Sequence, residues 1–120
     1  MPRAIEVEHK RWTQTSVLID TGEYSYIYGY YQGNAVKTIG MRWNGKGQDA
    51  GYPKLFKRPV WFNIPQELTL PTLLMLSSHL ALTYAGPVLS KNGTMTKAEF
   101  DEYTINIKSA IANCREGNLL

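Results

Sequence analysis

The run YSYIYGYY at positions 24–31 constrains the fold more than any other stretch of this chain. It lies between DTGE (20–23) and QGN (32–34), whose glycines supply the positive φ that tight hairpin turns need. Tyrosine is a favoured strand residue, and alternate residues of a strand face the same side. The run therefore predicts a β-strand between two turns, with one face carrying the tyrosines at even positions, Tyr24, Tyr26, Tyr28 and Tyr30.

Further extended segments flank this strand along the first half of the chain. AIEVEH (4–9) and TSVLID (15–20) precede it, AVKTIGMRW (35–43) follows it, and PVWFNI (59–64) comes after a long loop. Strands that follow one another through short turns usually pair as neighbours. The first half of the chain therefore predicts an antiparallel meander of about four or five strands.

The second half predicts two helices. The apolar stretch 68–85 is followed by Gly86 and Pro87, which together form a helix stop, and Pro71 fits the first helical turn, where its missing N–H costs nothing. Leucines lie nearly all round this helix, which predicts that it is covered on more than one side.

The last helix begins at TKAE, where Thr96 is followed three residues later by Glu99, the spacing of a capping box. Apolar residues then recur every three to four positions, which predicts a single buried stripe: Phe100, Tyr103, Ile107, Ala110, Ile111 and Cys114.

The composition, with 43% hydrophobic and 19% charged residues, is that of a globular protein. Strands concentrated in the first half and helices in the second are typical of a layered α+β architecture. We therefore predict a single α+β domain over residues 1–120, an antiparallel meander sheet of about four or five strands with two C-terminal helices packed on one face.

Features of export or membrane insertion are not expected. Charged residues occupy the start, MPRAIEVEHKRW, where a signal peptide has an apolar run. Pro71, Ser77, Ser78 and His79 interrupt the long apolar stretch, which favours a buried helix over a membrane-spanning one. Cys114 is the only cysteine, so an internal disulfide is impossible. These features predict a cytoplasmic protein without a membrane partner.

The orientation of the tyrosines is open at this point. If Ile27 and Ile39 share the helix-covered face, the tyrosines point outward and form a ladder beside Arg42. If the tyrosines face the helices instead, they line the core and their hydroxyls reach its rim. Tyrosine is amphipathic enough for either arrangement.

The stretch 42–61, RWNGKGQDAGYPKLFKRPVW, combines charge with aromatic rings. Five basic residues stand against one acid, Asp49, and four aromatic residues interleave with them. Cations that follow a phosphate backbone and rings that stack on bases are typical of single-stranded nucleic-acid binding. The alternative is a solvated loop whose rings pack on the sheet edge. The candidate ligand-binding residues are Arg42, Trp43, Lys46, Tyr52, Lys54, Phe56, Lys57, Arg58 and Trp61, joined by Tyr26, Tyr28 and Tyr30.

Catalytic, metal-binding and cofactor-binding motifs are not found. GKGQDAG lacks the GxxxxGK[ST] spacing of a phosphate-binding P-loop. His9, His79 and Cys114 are far apart in sequence, so they predict no metal site. Cys114 falls on the predicted buried stripe, where thiols are usually inert. We therefore predict no catalytic residue, metal or cofactor, although an enzyme is not excluded.

Three hypotheses for function follow. The first is a small non-catalytic binding protein that holds single-stranded nucleic acid with loop 42–61 and part of the tyrosine-rich strand. It requires outward tyrosines next to Arg42 and Lys54. The second is a protein-interaction module: an inhibitor, an immunity or accessory protein that binds an acidic protein surface, or a homodimer. It requires a contiguous exposed apolar patch. The third is a small-ligand binder or enzyme with a pocket between sheet and helices, bordered by tyrosine hydroxyls and His79.

Overall fold

The computed structural model describes residue 4 and residues 11–45, 50–55, 58–84 and 95–118. Six strands lie in the first half: β1 (Trp12–Asp20), β2 (Tyr24–Tyr31), β3 (Thr38–Trp43), β4 (Lys54–Leu55), β5 (Arg58–Pro59) and β6 (Phe62–Asn63). A short 3-10 turn (Gln66–Leu68) then leads into α1 (Thr69–Tyr84), and the chain continues to α2 (Lys97–Asn118).

The main sheet has four antiparallel strands in the order β1-β2-β3-β6, and β4 and β5 form a small separate hairpin. The predicted antiparallel α+β fold is thereby confirmed. The single strand predicted over 59–64 is divided between β5 and β6. Val60 N donates to Pro53 O and so belongs with the hairpin, whereas Ile64 N donates to Ile39 O and so joins the chain to β3. The strand predicted over 4–9 lies outside the described residues, apart from Ala4.

The register of β2 against β3 decides which face the helices cover. Tyr28 lies opposite Ile39, whereas Ile27 lies opposite Gly40, so the two isoleucines are on different faces of the sheet. Tyr28 and Ile39 pack in one buried cluster with residues of α1 and α2. The tyrosines at even positions therefore share the helix side of the sheet, and the alternative in which they point outward beside Arg42 is wrong.

The two helices supply most of the core on this side. Helix α2 packs on β1 and against α1. Its predicted capping box is confirmed, since Thr96 N donates to Glu99 Oε1 at 3.0 Å and Glu99 N donates to Thr96 Oγ1 at 3.1 Å. The predicted stripe is confirmed as well, and the core side chains of the helices are Leu73, Leu76, Leu80, Tyr84, Tyr103, Ile107, Ala110 and Cys114.

Helix α1 departs from the prediction on its outer side. Pro71 lies in the first turn as expected, but the helix is covered on one side only. Leu74 and Met75 are about half exposed, and Leu82 is 83% exposed. The predicted stop at Gly86 and Pro87 lies outside the described residues. Among the described residues, neither helix is long and apolar enough to cross a membrane.

Candidate functional site

The strands arrange aromatic side chains in rows that cross the helix side of the sheet. Tyr24 lies opposite Trp43. Trp43 in turn pairs with Tyr52, and the two backbone bonds between them measure 2.6 and 3.0 Å. Residues directly opposite each other in antiparallel strands point to the same side, so the three rings form one row. Exposure rises along this row, from a half-buried Tyr24 to Trp43 at 53% and Tyr52 at 68%.

A second row lies beside the first. Tyr26 is opposite Met41, and Met41 is opposite Phe62, which is exposed on the outermost strand β6. The next row inward, Tyr28 and Ile39, is buried under the helices. The helices therefore cover one end of this sheet face and leave the other end open. We call the open part the aromatic face: Tyr24, Tyr26, Met41, Trp43, Tyr52 and Phe62.

Helix α1 meets this surface at Tyr24, which contacts His79 and Tyr84 of the helix. The Tyr24 hydroxyl lies 2.5 Å from Nε2 of His79, and their rings are 6.2 Å apart. Met75, His79 and Leu82 are spaced i, i+4 and i+7, so they share one side of the helix. We call these three residues the α1 stripe. Because His79 touches Tyr24, the α1 stripe and the aromatic face form one surface.

This combined surface is poor in charge. Helix α1 contains no Asp, Glu, Lys or Arg from Thr69 to Tyr84, and none of the six residues of the aromatic face is charged at neutral pH. Exposed Glu23 precedes Tyr24 in the chain, and exposed Lys54 follows Tyr52 by two residues. The surface is therefore apolar and aromatic at its centre, with charges at its border.

Burial raises the pKa of three tyrosines, Tyr24, Tyr26 and Tyr28, and the shift is large for Tyr24 and Tyr28. Burial, reinforced by the nearby phenols of Tyr84 and Tyr26, raises the pKa of Tyr24 from 10.0 to about 12. Burial, with smaller contributions from Cys114 and Tyr30, raises the pKa of Tyr28 to about 12 as well. Both hydroxyls therefore remain neutral near physiological pH.

We expect alkaline pH to unfold the protein as these two phenols ionise. A raised pKa means that the folded state favours the protonated phenol, so this contribution to stability is fully present below pH 10 and is lost as the pH rises toward about 12. Phenolate absorbance should show a late phase that becomes smaller in the Tyr24→Phe, Tyr28→Phe double variant, which keeps Tyr26, whose pKa burial also raises. Titration of all tyrosines of the wild-type protein in one step near pH 10 would contradict the expectation.

Arg42, a predicted ligand contact, lies inside the protein on the opposite face of the sheet. Its side chain is 1% exposed, and its guanidinium donates to the carbonyl oxygens of Val60 (3.3 Å), Trp43 (3.2 Å) and Ala50. Burial lowers its pKa. The expectation of a phosphate contact is corrected, because adjacent strand residues face opposite sides and the exposure of Trp43 puts Arg42 inward. Its guanidinium links the backbone at Trp43 to that at Ala50 and Val60.

The structure places the other predicted site residues as follows. Trp61 is buried under the second face of the sheet in a small cluster with Trp12 and Ile27. Tyr28 is buried and Tyr30 half-buried, both away from the aromatic face toward the other end of β2. Trp43, Tyr52 and Lys54 are exposed, and Tyr26 is half-buried. The predicted ligand-binding residues that lie outside the described part of the chain are Lys46, Phe56, Lys57 and the side chain of Arg58.

Sequence reasoning missed part of this surface. Met41 and Phe62 are not among the predicted site residues, because neither side chain carries a charge or a reactive group. The i, i+4, i+7 spacing of the α1 stripe is visible in the sequence. Its exposure is not, since a helix that is apolar on all sides does not reveal which side faces solvent.

Metal chemistry finds no support in the described part of the chain, where no three His, Cys, Asp or Glu side chains lie close enough together to hold an ion. Comparisons of the chain with models of known protein families, with curated protein sequences and with solved structures gave no match.

Proposed function

We propose that this protein is a protein-binding module whose contact surface is the aromatic face together with the α1 stripe. The observation that carries the proposal is that Tyr24 contacts both exposed Trp43 on the sheet and His79 on α1, where Met75 and Leu82 on the same side of the helix are exposed as well. Monomeric proteins rarely leave contiguous apolar patches of this kind open to water.

The composition of this surface supports a protein partner. Tyr, Trp, Phe and Met are enriched at protein interfaces, and charged residues are depleted at interface centres. Aromatic anchors that lose water on binding account for most of the affinity in such interfaces, while rim charges contribute little. The aromatic face and the α1 stripe have this anatomy, with Glu23 and Lys54 at the border.

The expected partner is a different protein with an apolar centre and an acidic rim. The chain has a formal net charge of +3, and the stretch 42–61, which contains Trp43 and Tyr52, is basic in sequence. Two copies of the chain carry the same net positive charge and repel each other, whereas an acidic partner is attracted. Charge complementarity therefore favours an acidic protein over a second copy.

Single-stranded nucleic acid is the runner-up. That hypothesis required cations beside outward rings, but Arg42 is internal and Tyr28 lies under the helices. In the described part of the chain, the exposed cation nearest in sequence to the aromatic face is Lys54, two residues after Tyr52. One cation and a few rings support weak, salt-sensitive binding at most, because each phosphate contact needs its own positive charge.

Site-specific photo-crosslinking followed by reconstitution tests the proposal. A benzoylphenylalanine at position 62 should cross-link one protein from an extract of the source cells, whereas the same group at exposed Glu102 on α2 should not. The captured protein is then purified and titrated. Trp43→Ser and Leu82→Ser should each weaken its binding about thirtyfold, the effect of losing a hot-spot residue.

Ile105→Ser is the matched control, because Ile105 is an exposed apolar residue on α2 rather than on the proposed surface. It should leave the affinity unchanged, and all variants should unfold at similar urea concentrations. The proposal fails if position 62 captures nothing beyond the Glu102 control or captures only the chain itself, or if Trp43→Ser and Leu82→Ser bind normally. Tight binding of a single-stranded oligonucleotide that falls steeply with salt would favour the runner-up instead.

A further inference from the structure

A second concave site lies at the other end of β2, away from the aromatic face. It is a cleft of about 330 Å³ between the chain that links β2 to β3 and the C-terminal part of α2. This volume lies near the lower end of the range for small-ligand pockets. The residues around it that bear on its chemistry are Tyr28, Tyr30, Val36, Lys37, Asn113 and Glu116.

One side of the cleft is positive. The Lys37 ammonium lies 5.6 Å from the ring centroid of Tyr28 and 5.4 Å from that of Tyr30. A cation over aromatic rings at these distances is attracted by both, so the two rings hold the ammonium beside the cleft. Within the described part of the chain, Lys37 makes no ion pair. Its charge is therefore available to an anionic group of a ligand.

The other side, formed by α2, carries an amide and a carboxylate. The Tyr28 hydroxyl donates to Asn113 Oδ1 at 2.8 Å, which orients that amide and leaves its N–H groups as donors. Glu116 lies one helical turn from Asn113 and is exposed. It makes no ion pair with Lys37, although both border the same cleft. The cleft thus presents a cation and an anion that do not neutralise each other.

We propose that this cleft binds a free α-amino acid with an apolar side chain. The ligand carboxylate lies at Lys37, its ammonium at Glu116, and its side chain against Tyr30 and Val36. A zwitterion matches both unpaired charges at once, whereas a ligand with a single charge matches one of them. The site is independent of the proposed protein-binding surface, which lies at the other end of β2.

Calorimetric titration of the full chain with three probes tests the assignment. L-phenylalanine carries both charged groups, phenylpropionate lacks the ammonium, and phenethylamine lacks the carboxylate. L-phenylalanine should bind, and each analogue should bind about tenfold more weakly, the effect of losing one charge-assisted hydrogen bond.

Two variants then assign each charge to its side chain. Lys37→Met should lower the affinity for L-phenylalanine about tenfold and leave the affinity for phenethylamine unchanged. Glu116→Gln should also lower the affinity for L-phenylalanine about tenfold, but it should leave the affinity for phenylpropionate unchanged. The controls are Lys54→Met and Glu102→Gln, which change exposed charges outside the cleft, and Trp43→Ser, which changes only the other surface. None of the three should alter binding.

The assignment is overturned if L-phenylalanine produces neither heat nor nuclear magnetic resonance shifts at residues around the cleft. It is equally overturned if the three probes bind alike, which would indicate apolar contact alone, or if Lys37→Met and Glu116→Gln leave the affinities unchanged in proteins that circular dichroism shows to be folded. Because Trp43→Ser is included, failure here is distinguishable from failure of the protein-binding proposal.

Discussion

Gly51→Ala is expected to lower the free energy of unfolding by about 3 kcal/mol, from a left-handed backbone conformation and a steric clash together. Gly51 has a φ of +80°, where a side chain is disfavoured. An added Cβ would lie 2.6 Å from the carbonyl carbon of Asn44 and 2.7 Å from Nη2 of Arg42, and closer still to the carbonyl oxygen of Trp43. These are backbone atoms and a buried guanidinium, so none can move aside cheaply.

Gly33→Ala separates the cost of the left-handed backbone conformation from the cost of the steric clash. The free energies of unfolding of the two variants are compared by urea unfolding followed by circular dichroism. Gly33 has a φ of +76°, but nothing lies within 4 Å of the Cβ position. This variant should therefore lose only the conformational part, about 1 kcal/mol. Equal losses in the two variants would show that the close approach of Gly51 to Trp43 does not exist. Because Gly51 precedes Tyr52, its substitution should also weaken binding at the aromatic face.

Asp20→Ala is expected to lower the free energy of unfolding by about 4 kcal/mol, since it leaves several buried donors without an acceptor. The Asp20 carboxylate is 1% exposed and accepts from Ala4 N at 2.8 Å, Gly22 N at 2.9 Å and Asn44 Nδ2 at 3.0 Å. Ser25, opposite Asp20 in the sheet, completes the network by donating to Asn44 Oδ1 at 2.7 Å.

The same substitution removes a buried negative charge from the row of the sheet that contains Arg42. Asp20 lies opposite Ser25, and Ser25 lies opposite Arg42, so the two charges flank one residue on the same face. Asp101→Ala is the control, because its ion pair with Lys97 (3.0 Å) is exposed to solvent. It should cost less than about 0.5 kcal/mol. If urea unfolding shows similar losses for both variants, the buried network does not stabilise the fold as described.

The local elements were predictable because their signals lie within a few residues of one another. The turns on either side of β2 follow from glycine, the start of α2 from the pairing of Thr96 with Glu99, and the position of Pro71 from its missing N–H. Each depends on backbone chemistry that acts over three or four positions. Long-range packing does not override such signals here.

The site was less predictable, and Arg42 and Trp43 show why. Both belong to the basic, aromatic stretch 42–61, and both were selected for the same ligand. In the structure they lie on opposite faces, one buried and one 53% exposed. The alternation of side chains along a strand assigns the residues to two faces, but it does not show which of the two faces the helices cover. That choice depends on pairing between residues far apart in the chain.

By itself, the sequence determined that strands precede helices, the turns on either side of β2, the start of α2, and the two alternating faces of β2. It did not predict the small hairpin of β4 and β5. The tertiary structure decided that the tyrosine side of the sheet takes the helices, that Arg42 becomes internal, and that the outer side of α1 is open to solvent. The physical reason is the range of the interactions. Turns and caps depend on neighbours in the chain, whereas burial depends on which apolar surfaces meet. Here α1 and α2 bury the row of Tyr28 and Ile39 and leave Trp43 and Phe62 exposed.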